Sequence, residues 1–413
     1  MKKSSLFVLA AAITATMLVA VPASAADVSI TLFNSKMEIQ SQLEEMAAQY
    51  SAEKGVDVEV YYSSDTVAAH MSTRYASNEP YTISMVDAKD IYSLAPDHGI
   101  DLSDQDWVKD TTQAIDIDGK IYGFPVCVEA RGLIYNKTAI EDTLGEEFDP
   151  AAYATYDAFA ELLGKLKEAG MEAPTGIMKE DWSLGAHYLA EIYETREDVQ
   201  GFIDALKAGE VKLAEDERFN EMMDTFDLLK ENNYAAGSPT SAVREDTEMY
   251  LADGDIAFMF GGNWDWSVLV EFDPAGEMGM MAVPQNNDDY NNRMVGGGSK
   301  YLFIDNSDQT SEEQVAAAKD FLNWLVYDEQ GQSFVVDTCA LVPPFSNNTL
   351  EVTDPLGISV KAYVDADALV DNYNYLPDDH YAKAGASFQK YLAGEIDREG
   401  FAAEIEEYWK TVG

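Results

Sequence analysis

Polar and apolar residues alternate through VDVEVYY (56–62), and VSITLF (28–33) carries nearly the same period of two. Both stretches predict β-strands. Between them Ile39, Leu43, Met46, Ala47 and Tyr50 recur at the spacing of one helical face. Ser35 and Glu38 have the spacing of a capping box at the start of that helix, and Gly55 stands where a left-handed residue would end it. Strand, helix and strand in this order predict a parallel pair in an α/β sheet. Ligands of such sheets gather beyond the carboxyl ends of the strands.

Further along, AIDIDGKIYGFPV (114–126) holds Asp118-Gly119 between two apolar runs, a hairpin signal. Asp116, Asp118 and Gly119 match part of a calcium loop, but its first and twelfth ligands would be Ala114 and Pro125, which excludes calcium there. YDAFAELLGKLKEAG (156–170) and EMMDTFDLLKENN (221–233) are amphipathic, so the region 150–290 reads as mostly helical. It closes on the strand DIAFMF (255–260), which runs into MFGGNWDW (259–266). MVGGGSKYLFI (294–304) predicts another strand. Ser311 and Gln314 then box a helix with Ala318, Phe321, Leu322, Leu325 and Val326 on one face. FQKYL and FAAEIEEYW, separated by Gly394, predict closing helices.

Composition adds a compartment. Lys2 and Lys3, the apolar run Leu6 to Val21 and Ala23-Ser24-Ala25 predict a cleaved secretory leader over 1–25. Without it, 25 basic residues face 75 acidic ones, a net charge of −50 that repels nucleic acid and anionic lipid. Two cysteines, Cys127 and Cys339, make no disulfide scaffold, although a single bridge stays open, and neither follows the leader as a lipid anchor would. The sequence holds no H-E-x-x-H and no G-x-S-x-G, and His70, His98, His187 and His380 are scattered. No metal and no cofactor is expected.

Three stretches, in order, resemble the solute-binding proteins of ABC importers, in the maltose-binding-protein-like carbohydrate group. GKIYGFPVCVEARGLIYNK (119–137) resembles the block in which a hairpin leads to an E-A pair and then L-I-Y-N-K. LADGDIAFMFGGNWDWS (251–267) resembles an acidic turn, an apolar strand and G-x-W-x-W-S. AAKDFLNWLVYDEQGQSFV (317–335) resembles the helix that follows. The resemblance implies a two-lobed, hinged α/β fold of the type II periplasmic-binding kind, with a central cleft. Residues 26–127 and 298–335 would form the N-terminal lobe, and 128–297 and 336–413 the C-terminal lobe. Crossings would fall near Val126–Glu129, Gly296–Ser299 and Val335–Ala340. The implied partners are a neutral sugar, most simply an oligosaccharide, and the membrane permease of an importer. The protein would act as a monomer, periplasmic or extracellular, and not as an enzyme.

A sugar ring has an apolar face and a polar rim, so its site needs flat aromatic rings and hydrogen-bonding side chains. Trp264 and Trp266 supply rings at a strand end, beside Gly261 and Gly262. Carried over by position, the resemblance adds Ser35, Lys36, Asp65, Asp87, Asp90, Glu129, Trp182, Tyr375 and Tyr381, with Arg131 orienting Glu129. At Val86 the best-known maltodextrin binder of the group carries an aromatic residue, so maltose itself is not implied. Two rival readings stand beside this one. The same fold could take a cation such as a polyamine, since tryptophans and carboxylates serve it too. An exported glycoside-active enzyme would need paired carboxylates, which so acidic a chain neither singles out nor lacks.

Overall fold

The computed structural model of the chain describes residues 28–377 and 379–412. The leader expected over 1–25 lies outside them. Strand β1 (Val28–Asn34) pairs in parallel with β2 (Val56–Tyr62), from Val28 opposite Val56 to Asn34 opposite Tyr62. The helix Gln40–Lys54 between them buries Leu43, Met46, Ala47 and Tyr50 and ends on Gly55 at φ 73°. The third parallel strand, β3 (Ile83–Asp87), lies on the other side of β1.

One expected cap does not form. A short 3₁₀ turn, Met37–Ile39, precedes the helix and no side chain caps it. Asn34 organises the turn instead: its Oδ1 accepts the Lys36 N–H at 2.7 Å, and its Nδ2 donates to the Lys36 carbonyl and to Gln40. Glu38 is drawn away to the Lys36 ammonium.

The hairpin of β4 (Ile115–Ile117) and β5 (Lys120–Asn136) turns on Asp118 and Gly119 at φ 55° and 79°. The remaining strands are β6 (Thr175–Gly176), β7 (Phe258–Gly262), β8 (Met278–Met281), β9 (Met294–Ile304) and β10 (Leu369–Asp371). The sheet order is β2-β1-β3-β9-β5-β7-β6. Two long antiparallel strands, β5 and β9, join its two halves. The later part of β9 pairs with β3, and the last residues of β5 pair with β7 and β8. Midway, the β5–β9 register breaks on both sides of Cys127.

Each half packs apolar side chains on both faces. In the first lobe Leu32, Phe124 and Phe321 lie on one face and Phe33, Val86 and Phe303 on the other. In the second, Leu133, Phe258 and Phe388 oppose Ile134, Met259 and Leu356. Val336, Leu341, Phe345 and Val352 pack in the first lobe, while Val342, Leu356 and Val360 pack in the second. After Val352 the buried apolar residues of the chain pack only in the second lobe, so the chain leaves the first lobe for the last time near Asp354. Both cysteines are free thiols, and the Cys127 Sγ lies 3.3 Å from the Ser299 hydroxyl. Among the described residues no helix is long and apolar enough to cross a membrane.

Candidate ligand-binding cleft

A cleft opens between the lobes at the β5–β9 crossing, with a cavity volume of about 420 Å³. The first lobe presents Lys36 and Glu38 after β1, and Asp87 and Lys89 at the end of β3. These are the carboxyl ends of parallel strands, where an open α/β sheet gathers its ligands. From the crossing come Glu129, Arg131, Ser299 and Lys300. The second lobe adds Trp182, His187, Trp264, Asn372 and Tyr381. A separate void of about 20 Å³ in the first-lobe core has mostly apolar walls and room for about one water.

Every cation of the cleft has an anionic partner. Lys36, 2% exposed, donates to Glu129 at 2.6 Å and to Glu38 at 2.7 Å. Burial alone would disfavour its ammonium, but the two carboxylates outweigh burial and hold its pKa above the ordinary lysine value. Lys300 binds Asp87, and Lys89 lies 3.3 Å from Asp90. Arg131 binds Glu194 and, at 2.8 Å, the Asn372 side chain. Glu194 also accepts the Tyr373 N–H at 2.8 Å, so the segment after β10 is tied to the cleft floor. Burial raises the pKa of Glu194 against the pull of Arg131. Burial also holds His187 well below the ordinary imidazole range and His380 down to about 4, so both are neutral near pH 7.

The aromatic wall belongs to the second lobe. Trp182 opens a π-helix, Trp182–Tyr188, that also carries His187. The His187 ring lies 5.2 Å from Trp182 and 4.9 Å from Trp264, centroid to centroid. Gly185 and Gly385 let this π-helix cross the helix His380–Ala393: a Cβ on Gly185 would lie 2.6 Å from the Tyr381 carbonyl. That crossing brings Tyr381 to the wall. Trp264 folds back over Gly262, where a Cβ would meet the indole at 2.3 Å.

Of the residues singled out from the sequence, Lys36, Asp87, Glu129, Trp182, Trp264 and Tyr381 line the cleft. The other five do not. The Ser35 hydroxyl only accepts from Lys300, at 3.4 Å. Asp65 sits on an exposed loop. Asp90 is 2% exposed, and its carboxylate accepts the Asp87 N–H at 3.3 Å, closing the start of the helix Ala88–His98. Trp266 packs against the core on the far side of the sheet. Two residues apart in a helical turn point to opposite sides, so Trp264 and Trp266 cannot share a wall. Tyr375, 56% exposed, turns to Tyr92 of the first lobe, 4.5 Å away. Arg131 does not orient Glu129; that partner is Lys36. Lys89, Lys300, Glu194, Asn372 and His187 were not singled out. Lys300 reaches Asp87 only through the register of β3 on β9, which no local motif encodes.

A family profile described as bacterial extracellular solute-binding protein matches residues 45–377. The raffinose-bound solute-binding protein RafE superposes with a TM-score of 0.76 at 20% identity, over 93% of this chain and 99% of that one. A stachyose-bound sugar transporter protein from Bacillus licheniformis superposes at 0.70 and 18%, over 94% and 100%. A chitin oligosaccharide binding protein gives 0.71 and 20%, over 93% and 98%. At these identities the likeness is one of fold. No curated protein sequence matches the chain.

Proposed function

The chain belongs to the bacterial extracellular solute-binding proteins, and from that premise we propose that it captures a neutral oligosaccharide between its lobes and delivers it to the permease of an ABC importer. One observation carries the choice of ligand: an aromatic wall faces a floor whose charges are already paired. Trp182 and Trp264 offer flat apolar area for the C–H face of a sugar ring. Lys36, Glu129, Asp87 and Arg131 offer donors and acceptors for hydroxyls, with no unpaired charge that an ion must neutralise. Of the similar solved structures named above, one holds raffinose, one holds stachyose and one is a chitin oligosaccharide binding protein, which supports the same ligand class.

The sugar bridges Lys36 and Asp87 on one side and Trp182, Trp264 and Tyr381 on the other. It favours the closed form because only that form makes both sets of contacts. Rotation takes place at the β5–β9 crossing and at the passage near Asp354. On this reading the protein is a receptor and not an enzyme, with the Glu129 carboxylate of the cleft held as the partner of a buried ammonium.

The test is calorimetric titration of the mature protein with neutral oligosaccharides at low and high salt, with spermidine as control. Sugar binding at micromolar Kd or tighter, indifferent to salt, supports the reading. Silence to every sugar, with salt-sensitive spermidine binding, sinks it.

A further inference from the structure

Arg244 starts the helix Arg244–Asp253 and does not line the cleft, yet it touches both segments that carry the cleft tryptophans. Its guanidinium carbon sits 4.4 Å from the centre of the Trp182 ring. Its Nη1 donates to the two oxygens of Asp265 at 2.8 and 2.9 Å, and its Nη2 to the Ser183 hydroxyl at 3.1 Å. Asp265 follows Trp264 directly and accepts the N–H of Gly262, the residue under the Trp264 indole, at 3.0 Å. Ser183 follows Trp182 in the π-helix. The Arg244 backbone is fixed as well, its N–H donating to Glu180 at 3.0 Å.

We propose that Arg244 is a positioning residue that sets the spacing and tilt of Trp182 against Trp264, and so selects which sugar the wall accepts. Only a guanidinium can stack on an indole with its face while its edge binds a carboxylate and a hydroxyl. An ammonium can keep the charge next to Asp265 but cannot hold the plane. The π-helix adds to the case. Its wider turn brings residues five apart onto one side, so Trp182 and His187 stand ring to ring on the segment that Arg244 holds through Ser183. This inference rests on the sugar reading proposed above.

The experiment compares Arg244→Lys with the wild type and with Leu163→Ala, a second-lobe core control away from the cleft. Each is titrated with raffinose, stachyose and chitotriose, and near-ultraviolet circular dichroism reads the tryptophans. Arg244→Lys is expected to bind the tightest of these sugars about ten-fold more weakly, to change their ranking and to alter the tryptophan bands. Leu163→Ala is expected to lower the melting temperature and keep affinity and ranking. Wild-type ranking, affinity and spectrum in Arg244→Lys would overturn the inference. If the wild type binds none of the three, the wider titration above decides the sugar reading, and an unchanged tryptophan spectrum in Arg244→Lys still overturns the inference.

Discussion

Lys36 and Glu129, ninety-three positions apart, meet at 2.6 Å with both side chains nearly excluded from solvent. Lys36 follows the first strand of the first lobe, and Glu129 lies on the long strand that crosses between lobes. Breaking a buried pair from one side strands the other charge. Glu129→Gln should therefore destabilise the protein by about 3 kcal/mol, near the low end of that range because Glu38 remains on Lys36. Replacing both, Lys36→Met with Glu129→Leu, should restore the melting temperature and still abolish sugar binding. A double variant that binds like the wild type would remove the pair from the site.

Tyr92 and Tyr375 meet across the two lobes, with ring centres 4.5 Å apart. Tyr92 stands on the helix Ala88–His98, one turn from Lys89, and Tyr375 on the segment whose neighbours Asn374 and Leu376 line the cleft. An aromatic pair contributes about 0.5–1.5 kcal/mol. Tyr375→Ala should shift the lobe equilibrium of the unliganded protein toward the open form by about two- to ten-fold. Small-angle scattering should register a larger radius of gyration, and sugar affinity should weaken by a similar factor. An unchanged scattering profile would mean that the contact does not hold the lobes.

What the sequence made legible follows from range. The strand at 294–304, the helix face from Ala318 to Val326 and the hairpin at Asp118-Gly119 are encoded in local period and turn chemistry, and they stand as read. Trp264 was legible because a glycine pair precedes it. Trp266 was misleading because a strand-like spacing of two became a helical turn. Lys300 and Glu194 were invisible. Each acquires its role from a partner more than sixty residues away, brought near by strand register or helix packing. The capping box at Ser35 failed for a local reason instead: Lys36 competes for Glu38 with a full charge.

Glu248 is buried beside Asp265, and burial together with that second carboxylate pushes its pKa up to about 8 against the pull of Arg244, with Glu180 adding to the rise. In the folded protein it keeps its proton to about pH 8, whereas the unfolded chain releases it near 4.5. The folded state thus binds more protons across this window, and stability falls as pH rises through it. Glu191, also near 8, acts with the same sign. Glu248→Gln removes one such group. Its melting temperature relative to the wild type should climb from pH 5 to pH 8 and level off above. Parallel melting curves across that range would show that Glu248 does not hold its proton.

The glycine beneath Trp264 gives the sharpest separation of fold from function. A Cβ on Gly262 would stand 2.3 Å from two indole carbons of Trp264, which is too close for both to stay. The obstacle is the far part of a side chain, and the cleft gives it somewhere to go. Gly262 also has an extended backbone, φ −146°, that alanine adopts without strain. Gly262→Ala should therefore fold and melt close to the wild type, with its indole swung off the wall. Losing one stacked ring is worth about 1.5–3 kcal/mol, so sugar affinity should drop by about 10- to 100-fold. Gly261→Ala is the contrasting case. Its Cβ would collide with the Asp265 carboxylate at 2.1 Å and with Ile134 at 2.9 Å, so it should lose stability along with affinity. Melting curves and titrations of the two variants side by side decide the matter. If Gly262→Ala binds sugar as the wild type does, Trp264 is not part of the platform.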